Sequence, residues 1–369
     1  MSNHLKNICK IKNGCVFRQF CGLIIACCFL YFYSLEAKAE PAQTERTRYS
    51  ELKYQANKNT VIIVTGGASA TQIQFATDLA DILNTQKSQR SETQSLRVIP
   101  IIGQGGSQNA LDILYLRGVD MGIVQTDALA YLRGQDPVLY KNIQEKIHFI
   151  TKLYNSEWHV IANKNIQKLS DLKGKTINIS KKFSGTYIAS KTIFELLGIK
   201  VNYVTHDDNV ALKKLQNGNI DAVAILAGVP VLQIQNIPAN SGLHFVPVDF
   251  FFQPAHKVPF KFVLEHFYLP TKLQASTYPN LIPEGKKVGT IASSTILAVY
   301  NWPKGSARHR KTSNFIKMFF KKFNDFNRPG RHPKWEEVNL SATPPFWQRY
   351  KPADEQLKKL FKSKSQAKN

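Results

Sequence analysis

A short β-branched run that ends in a glycine loop and reopens as an amphipathic helix recurs along this chain, and few folds accommodate that repeat. The first instance is Val61–Asn84, VIIVTGGASATQIQFATDLADILN. Val61 to Val64 favour a strand, Thr65-Gly66-Gly67-Ala68-Ser69 reads as a loop, and Ile73, Ala76, Leu79, Ala80 and Leu83 lie on one helical face. Ser69 followed by Gln72 has the spacing of a capping box. Glycines let a backbone approach a ligand closely, and the free amides of a helix N-terminus favour an anion. Three readings fit this loop: a dinucleotide-binding turn, although no GxGxxG frame is present, a plain strand-to-helix turn, or a loop holding a carboxylate or phosphate.

Further units follow. Leu96–Ile102 predicts a strand, and after Gly103-Gln104-Gly105-Gly106-Ser107 a helix capped by Ser107 is expected to run to Arg117. The strand Asp120–Val124 leads through Gln125-Thr126-Asp127 into another helix. The pattern then repeats as strand Thr176–Ile179, polar loop Ser180–Gly185, helix Thr186–Leu197, strand Lys200–Thr205, helix Asn209–Gln216 and strand Ala222–Leu226. Leu116-Arg117-Gly118-Val119-Asp120 is echoed by Gln216-Asn217-Gly218-Asn219-Ile220-Asp221, which points to two lobes built on one βαβ scheme. Alternating strands and helices with short loops predict an α/β fold with mainly parallel strands, and ligands bind such sheets beyond the carboxyl ends of the strands. Five loops fall there: Gly66–Ser69, Gly103–Ser107, Gln125–Asp127, Ser180–Thr186 and Ala227–Val229. The candidate ligand-binding residues are accordingly Gly67, Ala68, Ser69, Gln72, Gly105, Ser107, Gln125, Thr126, Ser184, Gly185, Thr186 and Gly228. Arg117 and Arg133 are read as surface residues.

At the N-terminus, Lys6, Lys10, Lys12 and Arg18 precede the apolar run Phe20–Leu35, and Ala37-Lys38-Ala39 supplies a cleavage site. This is the pattern of a secretory signal peptide, and the run is short for a membrane span. A lipobox-like Ile24-Ile25-Ala26-Cys27 lies inside the run, so lipoprotein anchoring is a minor alternative. All five cysteines, Cys9, Cys15, Cys21, Cys27 and Cys28, fall in this segment. Cleavage after Ala39 would leave no disulfide framework, no thiolate chemistry and no cysteine metal ligands. The core must then be held by packing.

The formal net charge is +23, and Lys304 to Asn369 alone holds 17 basic and 5 acidic residues. Such a footprint first brings nucleic acid to mind, but export argues against it; a solvated basic surface is the plain reading, with anionic headgroups or an acidic partner next. Glu40–Lys58 is polar, without apolar period, and reads as a disordered leader. Phe149–Ala162 and Lys287–Tyr300 read as connections between lobes. A helix over Ser306–Phe323, with Phe315, Met318, Phe319 and Phe323 on one face, precedes an aromatic tail through Trp335, Phe346 and Trp347; these aromatics are read as core or lobe-clasping residues.

Together these motifs resemble the TAXI family of solute-binding proteins, the extracytoplasmic receptors of TRAP-type transporters. The matching stretches are Thr65-Gly66-Gly67 with its helix, Gly105-Gly106-Ser107, Gly118 through Asp127, Leu169 through Lys175, Ser184-Gly185-Thr186 and Gly218 through Ala222, with a looser match at His332-Pro333-Lys334-Trp335. The resemblance implies a type II periplasmic binding protein fold: two α/β lobes, two crossover strands and a ligand cleft between the lobes. The family's usual tyrosine pair after the first glycine loop is replaced by Ala70-Thr71-Gln72-Ile73. Family members with known ligands hold small carboxylates such as glutamate, so the resemblance implies a small anionic or zwitterionic solute, an amino acid or carboxylate. It also implies transporter membrane subunits as partners.

An enzyme would need a nucleophile, an acid–base pair or a metal. The histidines are scattered without the spacing of a zinc helix, and no G-x-S-x-G elbow is present. Asp207-Asp208 reads as a helix cap with a solvated neighbour, and Glu336-Glu337 similarly. No catalytic residue, metal ligand, cofactor or nucleic-acid partner is therefore expected. The expectation is a monomeric periplasmic receptor with signal peptide 1–39, leader 40–58, first lobe 59–152, second lobe 153–248, a crossover and return over 249–303, and a C-terminal helix and basic tail, 304–369, across the lobes. The alternatives are a binding protein serving a sensor or an ABC-type permease and, further off, an enzyme on the same fold.

Overall fold

The computed structural model describes residues 44–84, 96–248 and 266–366. The signal-peptide reading, the loop over 86–94 and the start of the crossover segment lie outside the described residues. Residues 1–58 and 59–369 form separate units. In the first, the stretch expected to be a disordered leader is helical over residues 44–57. Within it Gln55 donates to Glu51 and the Asn57 amide to the Lys53 carbonyl, at helical spacing, which a search for an apolar face does not register.

The second unit is a single ten-stranded mixed sheet. Its first half holds β1 (Thr60–Val64), β2 (Arg97–Ile101) and β3 (Met121–Gln125), all parallel. Its second half holds β5 (Thr176–Asn178), β6 (Asn202–Val204) and β7 (Ala222–Ala227), also parallel. Between them run two long antiparallel strands, β4 (Ile147–Asn163) and β10 (Lys287–Tyr300). β4 passes from β10 to β7, and β10 also pairs with β3, giving the order β2-β1-β3-β10-β4-β7-β5-β6. β8 (Leu243–Phe245) and β9 (Tyr268–Gln274) extend the edges of β4 and β10. The two stretches read as lobe connections are thus the two strands common to both halves. Their register slips between Ser294 and Ile296, where Ser156 Oγ and Thr295 Oγ1 meet at 3.0 Å and Ser294 Oγ donates to Asn155 Oδ1 at 3.1 Å.

Helices cover both faces of each half. α1 (Thr71–Leu83), α2 (Gly106–Tyr115) and α3 (Ala128–Gln135) follow β1, β2 and β3, and a single turn, α4 (Ile143–Lys146), leads into β4. α5 (Gly185–Leu197) and α6 (Asp208–Gln216) follow β5 and β6, and the short α7 (Leu232–Gln235) follows β7. The α1 core face is Phe75, Ala76, Leu79, Ile82 and Leu83, with Ile73 and Ala80 only half-buried. Arg117 and Arg133 are exposed, as expected.

The repeated signal of a glycine followed by an aspartate has a physical basis. Gly118 (φ 99°) and Gly218 (φ 71°) follow α2 and α6 in the left-handed region. After each turn the aspartate makes a reciprocal pair with a residue of a parallel strand. Asp120 N–H donates to the Ile62 carbonyl at 3.1 Å and its carboxylate accepts from Ile62 N–H at 3.0 Å. Asp221 does the same with Thr176, at 2.9 and 2.8 Å.

Most basic side chains of the described C-terminal region are exposed, in keeping with the solvated surface of the plain sequence reading, but a few turn into the core. α8 (Ala307–Lys321), capped by Ser306, sends Lys311 to the fully buried Asp120 at 2.7 Å. Beyond it, Trp335 stacks on Phe75 (centroids 4.3 Å apart) and donates through Nε1 to Asp78 at 2.8 Å. Lys334, almost wholly buried, reaches Glu157 on β4 at 2.5 Å. Trp335 and Trp347 are buried, in keeping with their reading as core, whereas Phe346 is exposed. α9 (Lys351–Gln366) closes the described chain.

Candidate functional site

β1, β2, β3 and β5 end in loops that face one another across the middle of the sheet. Gly66, Gly67, Ser69 and Gln72 from the first loop, Gly103 to Gly105 from the second and Gln125 from β3 form one wall of a cavity of about 80 Å³. Ser180, Lys181, Ser184, Gly185 and Thr186 form the facing wall, with Asp207 and Asp208 at the head of α6. Tyr154 and Ser156 on β4 supply the floor, together with Leu226 and Ala227 at the end of β7.

Three helices begin at this cavity. α5 is capped by Ser184, whose Oγ accepts from Tyr187 N–H at 3.2 Å; helix geometry leaves the Gly185 and Thr186 amides without intrahelical acceptors. α1 begins at Thr71 behind Ala70, which has no capping side chain. The Ser69–Gln72 capping box is therefore not formed: Ser69 stands one position too early, and the Gln72 side chain turns instead toward Gly66 and Gly105. α2 begins at Gly106 behind Gly105 (φ 78°), so Ser107 lies inside the helix rather than capping it.

Eight of the twelve candidate residues line the cavity: Gly67, Ser69, Gln72, Gly105, Gln125, Ser184, Gly185 and Thr186. Four do not. Ala68 is exposed. Thr126 turns its backbone to its neighbours, donating to the Ser294 carbonyl and accepting from Trp347 Nε1. Ser107 and Gly228 instead join the two halves. Ser107 Oγ donates to the Phe183 carbonyl at 3.3 Å, as Gln108 N–H does, and Thr71 Oγ1 donates to the Gly228 carbonyl at 3.1 Å. These contacts close the cavity on two sides. Gly106 lies so close to the second half that a Cβ there would come within 2.5 Å of Gly185 N and Phe183 O.

Buried polar groups without partners converge on the same place. Gln72 (5 % exposed) and Gln125 (3 % exposed) each leave Oε1 unpaired, and a Cβ on Gly185 would fall 2.6 Å from Gln125 Oε1. Such groups are costly unless something pairs with them. Ser180 (φ 63°) and Phe183 (φ 66°) hold left-handed backbone in the facing loop, and strain of this kind concentrates at working sites. The acidic pair differs from its reading. Asp207 is the cap, accepting from Asn209 N–H at 3.2 Å, but Asp208 is only partly solvated: the residue is half-buried and its Oδ1 is shut from solvent without a partner. Burial pushes the Asp208 carboxyl up to about 6, against the Ser180 hydroxyl bond that pulls it down. The Tyr154, Ser156, Asp207 and Asp208 contributions were missed in the sequence, because nothing local marks which residue of a long strand or an acidic pair meets a distant loop.

Other strongly perturbed groups are structural. Burial drives His159 down to about 4, where its ring bridges the Ile225 carbonyl and Tyr278 hydroxyl. Burial also lifts Asp127 to about 6, although the Tyr268 hydroxyl donates to it at 2.7 Å. Among the described residues no cluster of His, Cys, Asp and Glu is arranged to hold a metal, and no helix is long and apolar enough to cross a membrane.

Residues 63–309 match the model of the NMT1-like family. The chain belongs to the NMT1-like family. It is also similar to solved structures at low identity. The amino acid ABC transporter substrate-binding protein AbpA from Streptococcus pneumoniae, bound to L-arginine, is 12 % identical, with 77 % of this chain and 94 % of that chain covered and a TM-score of 0.41. The Candida albicans CA3427 gene product, described as having the generic periplasmic binding protein fold, is 15 % identical over 81 % and 80 %, with a TM-score of 0.45. A putative periplasmic sulfonate-binding protein, SsuA, from Methylobacillus flagellatus is 13 % identical over 79 % and 81 %, with a TM-score of 0.38. The NMT1-like chain has the architecture expected of it: two α/β halves, two shared crossover strands and a cleft between them.

Proposed function

We propose that this protein is an extracytoplasmic solute receptor of a TRAP-type transporter, capturing a small carboxylate-bearing ligand by closure of its two lobes. The observation that carries this reading is the cavity at the junction of the halves, where the α5 N-terminus, two unpaired glutamine side-chain oxygens and the interlobe contacts Thr71–Gly228 and Ser107–Phe183 come together. A carboxylate fits the Gly185 and Thr186 amides, which carry the positive end of the α5 dipole. The volume of about 80 Å³ is below the ~150 Å³ that admits benzene, which favours a short solute over a dinucleotide. Glycine loops with hydroxyls and amides also suit binding and release better than bond-making. Delivery to TRAP membrane subunits, from the periplasm, follows from the TAXI resemblance of the motifs and the signal-peptide pattern.

Thermal unfolding against a panel of small carboxylates, dicarboxylates and phosphonates tests the receptor. A ligand at a hundredfold excess over its Kd should raise stability by about 2.7 kcal/mol. A flat response to every member overturns the reading, and turnover of one would restore the enzyme. Uptake of the ligand into vesicles holding the membrane subunits encoded beside this gene tests the transporter assignment.

A further inference from the structure

The face built by the two C-terminal helices combines an apolar groove with positive charge. α8 and α9 pack against each other, and near the end of α8 they leave a groove of about 420 Å³ whose apolar lining includes Phe320, Phe323, Leu340, Leu357, Leu360 and Phe361. That volume lies in the range of ~300–1,000 Å³ usual for sites that take apolar ligands. Phe361 lines the groove while remaining 52 % exposed. Lys321 lines it too and begins a stripe: Arg310, Lys317 and Lys321, at i, i+7 and i+11, share one side of α8, and all three are exposed. α8 contains no acidic residue. The acids of the neighbouring segments are largely paired, Asp325 with Arg328 at 2.6 Å, Asp354 with Lys358 at 2.7 Å and Glu337 with Lys334 at 2.5 Å. Glu336 and Glu355 are exposed, but they are fewer than the exposed lysines and arginines of this region. The other side of α8 is anchored, with Phe315 and Phe319 fully buried and Lys311 on Asp120, so the stripe is held by a fixed scaffold.

We propose that this face docks the protein on a bilayer rich in anionic phospholipid, with lipid phosphates along the α8 stripe and an acyl chain entering the groove beside Phe361. A bilayer supplies both complements together, phosphates at its surface and hydrocarbon just beneath. Basic residues beside an aromatic ring are the composition that seats at this boundary. Nucleic acid would offer the phosphates without the hydrocarbon. At 1.5 Å per residue Lys321 stands about 16 Å from Arg310 along α8. That exceeds the ~8 Å Debye length at physiological ionic strength, so the charges meet an extended surface as separate contacts rather than forming one pocket for a single anion. None of these residues lines the cavity between the halves, so docking and solute binding are separate properties.

The full chain is floated with vesicles of phosphatidylcholine alone and of equal parts phosphatidylcholine and phosphatidylglycerol. In 0.1 M NaCl it should partition about tenfold or more strongly onto the anionic vesicles. Raising NaCl to 1 M, which shortens the Debye length from about 10 to 3 Å, should remove most of that preference. Lys317→Glu with Lys321→Glu should lower partitioning onto the anionic vesicles about tenfold or more. Lys141→Glu with Lys173→Glu, exposed lysines that precede α4 and β5, should change it by less than about threefold. Phe361→Ser should weaken partitioning severalfold and leave its salt dependence in place. Every variant keeps the N-terminal segment, so any attraction of that segment to lipid cancels between them. Equal partitioning onto the two kinds of vesicle, or equal losses in both charge-reversed pairs, would overturn the docking face. Phe361→Ser that partitions like the parent would overturn the groove's part in it. Vesicles ignored while poly-L-glutamate binds would assign the face to an acidic protein and overturn the lipid. Should the α8 pair fail to fold, the two vesicle compositions and Phe361→Ser still decide.

Discussion

Three serines stand before or within helix starts at this cavity, and they look alike in sequence. Only Ser184 caps; Ser69 precedes the true boundary and Ser107 spends its hydroxyl on Phe183 across the cleft. Ser184→Ala should therefore lower stability by ~0.5–2 kcal/mol in chemical denaturation, and Ser69→Ala should leave it nearly unchanged. Thr186 is more entangled than its loop position implies, because its Oγ1 accepts from Leu226 N–H at 2.9 Å. Thr186→Val strands that buried amide at a cost of about 1–3 kcal/mol, whereas Thr186→Ser should retain most of the stability. Asp127 gives a pH signature. Its carboxyl is raised from the usual value to about 6 by burial, so the folded state holds a proton that the unfolded state releases between about pH 4 and 6. Folding is favoured at the acid end of that window, and the contribution is lost as pH rises through 6. His159 and His332, both depressed to about 4, act with the opposite sign, so the difference between Asp127→Asn and the parent protein is the clean readout. That difference should shift by ~2–3 kcal/mol in favour of the variant between pH 4 and 7.5; a pH-independent difference would show that Asp127 is not a buried acid.

At the scale of elements, the strands and helices of both halves were legible because the periods of apolar residues change cleanly at Gly66, Gly105, Gly118, Gly198 and Gly218. The strap after α8 was legible only as aromatic bulk. Its polar work was not, since Lys334 pairs with a residue 177 positions away. Glu157 takes Lys334 on Oε1 and the Val229 amide on Oε2 at 3.0 Å, fastening the C-terminal strap to the crossover strand beside the Thr71–Gly228 contact. Burial raises the Glu157 carboxyl, and Lys334 opposes that rise. Lys334→Met should cost about 3–5 kcal/mol by leaving the glutamate buried and unpaired, and adding Glu157→Gln should recover a good part of it. Two losses that simply add would show the pair is not coupled. Part of the basic composition of this region is therefore not free surface charge, because Lys311, Arg331 and Lys334 are each bound to a carboxylate of the core or its rim.

For the whole molecule, the question is whether the halves must meet for the site to exist. The cavity walls come from both sides of the crossover strands, and the slip in register at Ser294–Ile296 gives the sheet a place to bend. At Gly106 the halves approach closely, with Gly185 N and Phe183 O both 2.5 Å from the position of an added Cβ. Gly106→Ala should hold the cleft ajar. Its φ of 53° is a left-handed value that an alanine reaches at a cost of about 1–2 kcal/mol, so the fold should survive. Ligand affinity should fall about a hundredfold or more, because the α5 amides and Gln125 would no longer face one solute together with Gln72. Small-angle scattering separates this from a local defect: saturating ligand should compact the parent protein and leave Gly106→Ala expanded. A variant that closes and binds normally would mean that the Gly106 contact is incidental, and that the two walls act on the solute independently.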